Sequence, residues 1–147
     1  MQATSQDIDT LARTLYGEAR GETLRGQIAV AHVVLNRVQD PGWWTRNRGD
    51  GIPDDTIAAA CRDPWQFSCW NAGDPNREKI EAVTLNEPSF QRAMAVACAV
   101  VRGLDGFGDP TGGATHYHTR SISPDWDWSK LSSPMSIGHH KFYRKIG

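Results

Sequence analysis

Glu18 is the side chain in this sequence best placed to do acid chemistry. It stands in "LYGEARGETLRGQIAVAHVVLNRV", residues 15 to 38, between the small residues Gly17 and Ala19. Ile8, Leu11, Ala12, Leu15 and Ala19 recur at the spacing of an amphipathic helix. At about 100° per residue, Glu18 falls beside Leu11 at the margin of that apolar stripe. A carboxyl at such a margin is drawn out of water, and near a helix C-terminus it also faces the unfavourable end of the helix dipole. Both effects raise its pKa. A carboxyl that keeps its proton near neutral pH is what a general acid requires. Glu22 is the rival, but it lies past the expected helix end and near Arg25. It reads better as a structural ion pair or cap.

Two other segments carry polar groups in suggestive settings. In "PWQFSCW", Gln66 and Ser68 alternate with Trp65, Phe67 and Trp70. Aromatic faces with a few fixed hydrogen-bonding groups suit a carbohydrate cleft; core packing of Trp65 and Phe67 is the competing reading. Trp43-Trp44 reads as a rim platform or a core satellite, and Trp126 and Trp128 point the same way if extended. In "ATHYHT", a strand places His116 and His118 on one face and Tyr117 on the other. His-x-His also occurs in zinc sites, and His139-His140 supplies further candidates. No His-Glu-x-x-His pattern accompanies them. Hydrogen bonding within the β element is the expected role of the histidines, and no metal is expected.

The elements that must position these groups are mainly helical. Thr4-Ser5-Gln6-Asp7 reads as a capped helix start and Gly21 as its end. A second helix, about Arg25 to Gln39, is apolar nearly all round and should be central, with Asp40-Pro41-Gly42 as its stop. A shorter helix is expected from Asp54 to Cys61, and another from about Ser89 to Gly103. "CRDPWQFSCWNAGDPNR" is too rich in turn residues to be regular and reads as an ordered loop. After "DGFGDPTGG", "ATHYHT" and "HKFYR" are expected strands, with the loop "SISPDWDWSK" between them. Asp74 and Asp109 sit in turn sequences, where Asp commonly bonds its own backbone.

"LARTLYGEARGETLRGQIAVAHVVLNRV", "WQFSCWNAGDPNR", "DPTGGATHYHT" and "IGHHKFYR", spanning residues 11 to 144, together resemble the cell wall hydrolase family of the spore cortex-lytic enzyme catalytic domain. The shorter members from phages and proteobacteria are the most similar. The resemblance implies a lysozyme-like, lytic-transglycosylase-like fold acting on the glycan strands of peptidoglycan. It implies that Glu18, the first Glu of "GEARGE", is the catalytic acid, that Gln66 faces the substrate and that Tyr117 lines the cleft. Ser68 and Trp70 complete the expected substrate-binding set. Hydrolytic glycosidases ordinarily use two carboxylates. A lytic transglycosylase needs one, and no second candidate stands out beside Glu18.

The bulk composition agrees with an enzyme of this kind. With 147 residues, 39% hydrophobic and 22% charged, the chain suits one globular α+β domain over residues 1–147, mainly helical, with a small β element near the C-terminus. A net charge of -1 argues against a nucleic-acid partner. No apolar run is long enough to insert in a membrane. The N-terminus lacks the pattern of a signal peptide. Release by a phage holin, carriage in a virion, or excision from a larger protein are the expected routes to the bacterial wall. The protein is expected to act as a monomer without a cofactor. Two alternatives compete: a zinc-dependent peptidoglycan amidase or endopeptidase, and a non-catalytic wall-binding module. Of the three cysteines, Cys61 and Cys69 are close enough in sequence to bridge a short loop, and the sequence leaves that open.

Overall fold

The computed structural model describes residues 2–40, 55–63, 66–104, 106 and 108–146. Trp43, Trp44, Trp65 and the expected start of the third helix at Asp54 lie outside the described residues. The first helix, α1 (Ser5–Ala19), opens with a reciprocal box in which Thr4 accepts from the Asp7 amide and Asp7 accepts from the Thr4 amide. Helix α2 (Leu24–Gln39) is capped by Thr23. It buries Ala29, Val30, Ala31, Val33 and Val34 completely, as an apolar circumference demands. Helix α3 (Ile57–Arg62) starts three residues after the expected Asp54, with Thr56 as its cap. Helix α5 (Pro88–Val101) packs along α1, which also touches α2, α3 and α4 (Pro75–Ala82).

Two elements escape the sequence reading. The ordered loop before residue 77 gives way to an eight-residue helix, α4 (Pro75–Ala82), with Asp74 as N-cap and Pro75 at its first position. Its one buried residue is Ile80, so it carries no apolar rhythm to announce it. The second missed element is a three-residue strand. The expected strands form β1 (His116–Thr119) and β3 (His140–Tyr143), and β2 (Met135–Ile137) adds to the outer edge of β3. The sheet is antiparallel in the order β1-β3-β2.

Register decides which side chains face the helices. Tyr117 pairs with Phe142 and Thr119 with His140, so these four share one face. His116 and His118 share the other with Tyr143 and Lys141. Phe142 belongs to the same core as Leu11, Leu15, Val30, Phe67 and Phe90. Burying a Leu or Phe contributes about 1.5–3 kcal/mol each. The sheet therefore docks on the helices through the face that carries Tyr117.

Candidate active site

Glu18 lies in the last turn of α1, which contains no basic residue to offset the dipole. Its side chain is half-buried. The approach is opened by Gly17, whose missing Cβ would stand 2.7 Å from Cβ and 2.9 Å from Sγ of Cys69. Three segments meet at the carboxyl group. From β1, the Tyr117 hydroxyl donates to Oε1 at 2.8 Å. From the 3₁₀ turn Ser68–Trp70, the Ser68 hydroxyl stands at the outer limit of a hydrogen bond, 3.5 Å from Oε2. The thiol and amide of Cys69 also face it and favour its charged form.

Burial raises the pKa of Glu18 above the ordinary glutamate value, and the charge of Asp74 adds to the rise. The donors Tyr117 and Cys69 temper it without reversing it. Burial, and then the Glu18 charge, drive the Tyr117 pKa well above that of a free tyrosine, so its hydroxyl stays a donor. The arrangement can give a proton to a nearby oxygen and can stabilise the carboxylate that remains.

Gln66, Phe67 and Ser68 come from one stretch but face different surroundings. Ser68 is exposed beside Glu18, while Phe67 is buried in the core. The Gln66 side-chain oxygen accepts from Arg37 Nη1 at 3.0 Å. Trp70 is 7% exposed. Its indole N–H donates to Thr14 Oγ1 at 2.8 Å, and Arg62 lies 4.7 Å over its ring. The structure thus brings Ser68 and Tyr117 directly to Glu18, ties Gln66 to the loop's support, and seats Trp70 against α1.

The reading from sequence passed over two residues that hold this site together, Asn36 and Arg37 at the end of α2. Asn36 donates to Asp109 Oδ2 at 2.8 Å and to the Ala114 carbonyl at 2.9 Å. Arg37 is 4% exposed. It donates to the Thr115 carbonyl at 2.6 Å as well as to Gln66, and lies 5.0 Å over the Phe67 ring. The available signal was two polar residues closing an otherwise apolar helix.

The two turn aspartates do turn work. Asp74 accepts from the Asn76 amide at 2.8 Å. Asp109 accepts from Thr111 through both amide (2.8 Å) and hydroxyl (2.6 Å), from the Gly113 amide and from Asn36. Glu22 is indeed paired, but with His139 and His140 rather than Arg25. His118 bonds the Tyr143 hydroxyl at 2.8 Å, and His116 contacts Trp126 on the outer sheet face. Burial, and then the charge of Arg37, push the His116 pKa down to about 3. Among the described residues no three His, Cys, Asp or Glu side chains are grouped to hold a metal ion. Cys61 and Cys69 are both buried free thiols, and burial pushes the Cys61 thiol up to about 12.

Comparison with known proteins adds to this geometry. The family model described as cell wall hydrolase matches residues 21–143, beginning just after Glu18. A spore cortex-lytic enzyme of Halalkalibacterium halodurans is 31% identical over 140 residues, covering 95% of this chain and 35% of that protein. The chain thus spans about a third of that relative's length. The catalytic domain of the germination-specific lytic transglycosylase SleB from Bacillus anthracis superposes with a TM-score of 0.65 at 27% identity, covering 96% of each chain. The catalytic domain of the Bacillus cereus SleB protein gives 0.68 at 28% identity, over 97% of this chain and 93% of that one.

Proposed function

The chain belongs to the cell wall hydrolase family, and we propose that it cleaves the glycan strands of peptidoglycan with Glu18 as its acid and base. The observation that carries this is the half-buried carboxyl of Glu18, raised in pKa and held by the Tyr117 hydroxyl at 2.8 Å. In the first step Glu18 gives its proton to the glycosidic oxygen, the C1–O bond breaks, and positive charge develops at C1. The carboxylate that results accepts a hydrogen bond from Tyr117. It then takes the proton of the same sugar's C6 hydroxyl as that oxygen bonds to C1. Glu18 is protonated again, the product is a 1,6-anhydro sugar, and no water is consumed.

Two features support one carboxylate over two. Asp109 spends both oxygens on Thr111, Gly113 and Asn36, and Asp74 Oδ1 caps α4 through the Asn76 amide. A hydrolytic partner would need a carboxylate free to activate water or attack C1. Gln66, Ser68, Trp70 and Tyr117 are the proposed substrate-binding residues; Ser68 is the exposed member beside the acid, and Trp70 acts by shaping the loop from beneath. The substrate is the bacterial wall, and the domain is proposed to work as a single unit and as a monomer. Among the described residues no helix is long and apolar enough to cross a membrane.

Digestion of purified sacculi, with mass spectrometry of the released glycan, tests the reading. Anhydro ends are expected, one water lighter than reducing ends. Glu18→Gln is expected to fold and to lose at least about 10²-fold in rate, the scale of a lost general acid. Asp74→Asn is expected to keep most of the activity. Near-wild-type lysis by Glu18→Gln would overturn the assignment, and reducing ends throughout would replace the anhydro outcome with hydrolysis.

A further inference from the structure

The connection between α1 and α2 holds a second carboxylate, Glu22, that the proposed chemistry does not use. It is 7% exposed, although it follows a helix end where water would ordinarily reach it. Both of its oxygens are occupied from the β2–β3 turn. The His139 amide donates to Oε1 at 2.9 Å, and His139 Nδ1 lies 2.8 Å from Oε2. His140 Nδ1 lies 2.8 Å from Oε1. The turn itself is shaped for this approach. Gly138 has φ +58°, and a Cβ there would stand 3.0 Å from Glu22 Oε2.

From this clamp the contacts lead to the proposed acid. His140 is 3% exposed, and its ring meets the Tyr117 ring edge-on at 5.0 Å. Both lie on the sheet face that packs on the helices, as the pairing of Thr119 with His140 requires. Tyr117 in turn donates to Glu18 at 2.8 Å. A buried carboxylate is costly unless paired, and an apolar contact would staple a turn to a loop at least as well. What the carboxylate adds is direction: the His139 amide and ring grip its two oxygens, His140 Nδ1 lies close beside it, and the turn so fixed begins the strand whose His140 ring is the neighbour of Tyr117.

We propose that Glu22 is a positioning residue for the cleavage reaction: by fixing the His139–His140 turn, it seats Tyr117 so that its hydroxyl stays on Glu18. The proposal rests on Glu18 being the acid. The ionisable groups around Glu18 are Tyr117 from β1, Cys69 from the 3₁₀ turn, Asp74 at the start of α4 and, further off, Cys61 from α3. Around Glu22 they are His139 and His140, and the charge of His118 also reaches His140. Burial works against the charge on Glu22, but the His139 bonds and the two histidine charges hold its pKa below the ordinary value.

The test compares Glu22→Gln, Tyr117→Phe and the double variant by thermal melting and by the pH profile of kcat/KM on purified sacculi. Tyr117 favours the ionised form of Glu18, so Tyr117→Phe moves the alkaline limb upward, by on the order of one pH unit. Glu22→Gln is expected to move it the same way by a smaller amount, and to lower kcat more than it raises KM. In the Tyr117→Phe background it should move the limb no further. A lowered melting temperature with the limb unmoved would reduce Glu22 to a structural staple and overturn the proposal. An equal limb shift in both backgrounds would also overturn it, because Glu22 would then act without Tyr117. If Glu22→Gln does not fold, His139→Ala carries the same comparison, since that side chain is 83% exposed and not needed for packing. A limb shift that vanishes in Tyr117→Phe supports the proposal, and no shift overturns it. Full lysis by Glu18→Gln would instead remove the acid assignment itself, a result distinct from any of these.

Discussion

At the scale of single residues, the same carboxylate chemistry serves opposite ends. Burial dominates at Glu18 and keeps its pKa high. Asp109 is also partly withdrawn from water, which works against its charge, but Thr111, Asn36 and Gly113 surround it with donors and pull its pKa below the ordinary 3.8. The difference is that burial outweighs the donors at Glu18, whereas the donors outweigh burial at Asp109. A depressed folded pKa stabilises the fold above the ordinary pKa, and that contribution is lost as pH falls through the folded value. Asp109→Asn is therefore expected to lower stability by about 1–2 kcal/mol at neutral pH. The gap from the parent protein should narrow below about pH 4. Urea unfolding at several pH values measures this, and a gap that widens in acid would contradict the sign.

At the scale of elements, α1 is shaped as much by what it lacks as by what it carries. Gly17 sits in the helix interior, where Gly is worse than Ala by about 0.5–1 kcal/mol. A methyl there would meet Cys69 at 2.7 and 2.9 Å and Ile80 Cγ2 at 2.9 Å. Overpacking of this kind costs about 1–3 kcal/mol, so the clash outweighs the gain in propensity. Gly17→Ala is expected to lower the melting temperature and to reduce activity, because Cys69 and the adjacent Ser68 must shift away from Glu18. Gly21→Ala is the control, since nothing lies within 4 Å of its added Cβ. It should stay within about 0.5 kcal/mol of the parent. Helix α4 depends on α1 in its turn. Arg13 donates to the Ile80 and Val83 carbonyls at 2.7 and 2.9 Å, closing the C-terminal end of α4.

At the scale of the whole molecule, Arg37 joins three parts of the chain that are distant in sequence. From α2 it holds Thr115 at the mouth of the sheet, Gln66 in the loop, and the Phe67 ring. Removing it leaves a buried carbonyl and amide oxygen without their donor. Arg37→Met is expected to cost about 3 kcal/mol and to lower kcat/KM together with the unfolding midpoint. Arg37→Lys should recover only part of the loss, because one ammonium cannot reproduce the two directions of a guanidinium fork. Full stability in either variant, by urea unfolding, would show that the sheet and loop are held elsewhere.

Local signals account for much of this fold. The Thr4–Asp7 box, the all-round apolar α2 and the His116–Thr119 alternation each depend on neighbours within a few residues, and each formed as its pattern implies. Glu18 was legible for the same reason: its phase on α1 follows from helical geometry alone. Helix α4 and strand β2 were not, because Ile80 is the single buried residue of one and the other is three residues long. Periodicity has no room to show in either. The histidine partners of Glu22, and the bond by which Tyr117 reaches Glu18, lay beyond any local pattern. Tyr117 is 99 residues from Glu18, and His139 is 117 from Glu22. Such pairs are set by how β1, β3 and the turn dock on the helices, a packing outcome of Phe142, Phe67 and the α2 core acting together. The sequence determined which group could be an acid. Only the tertiary structure decided that the Tyr117 hydroxyl would meet Glu18, and that Glu22 would meet the His139–His140 turn.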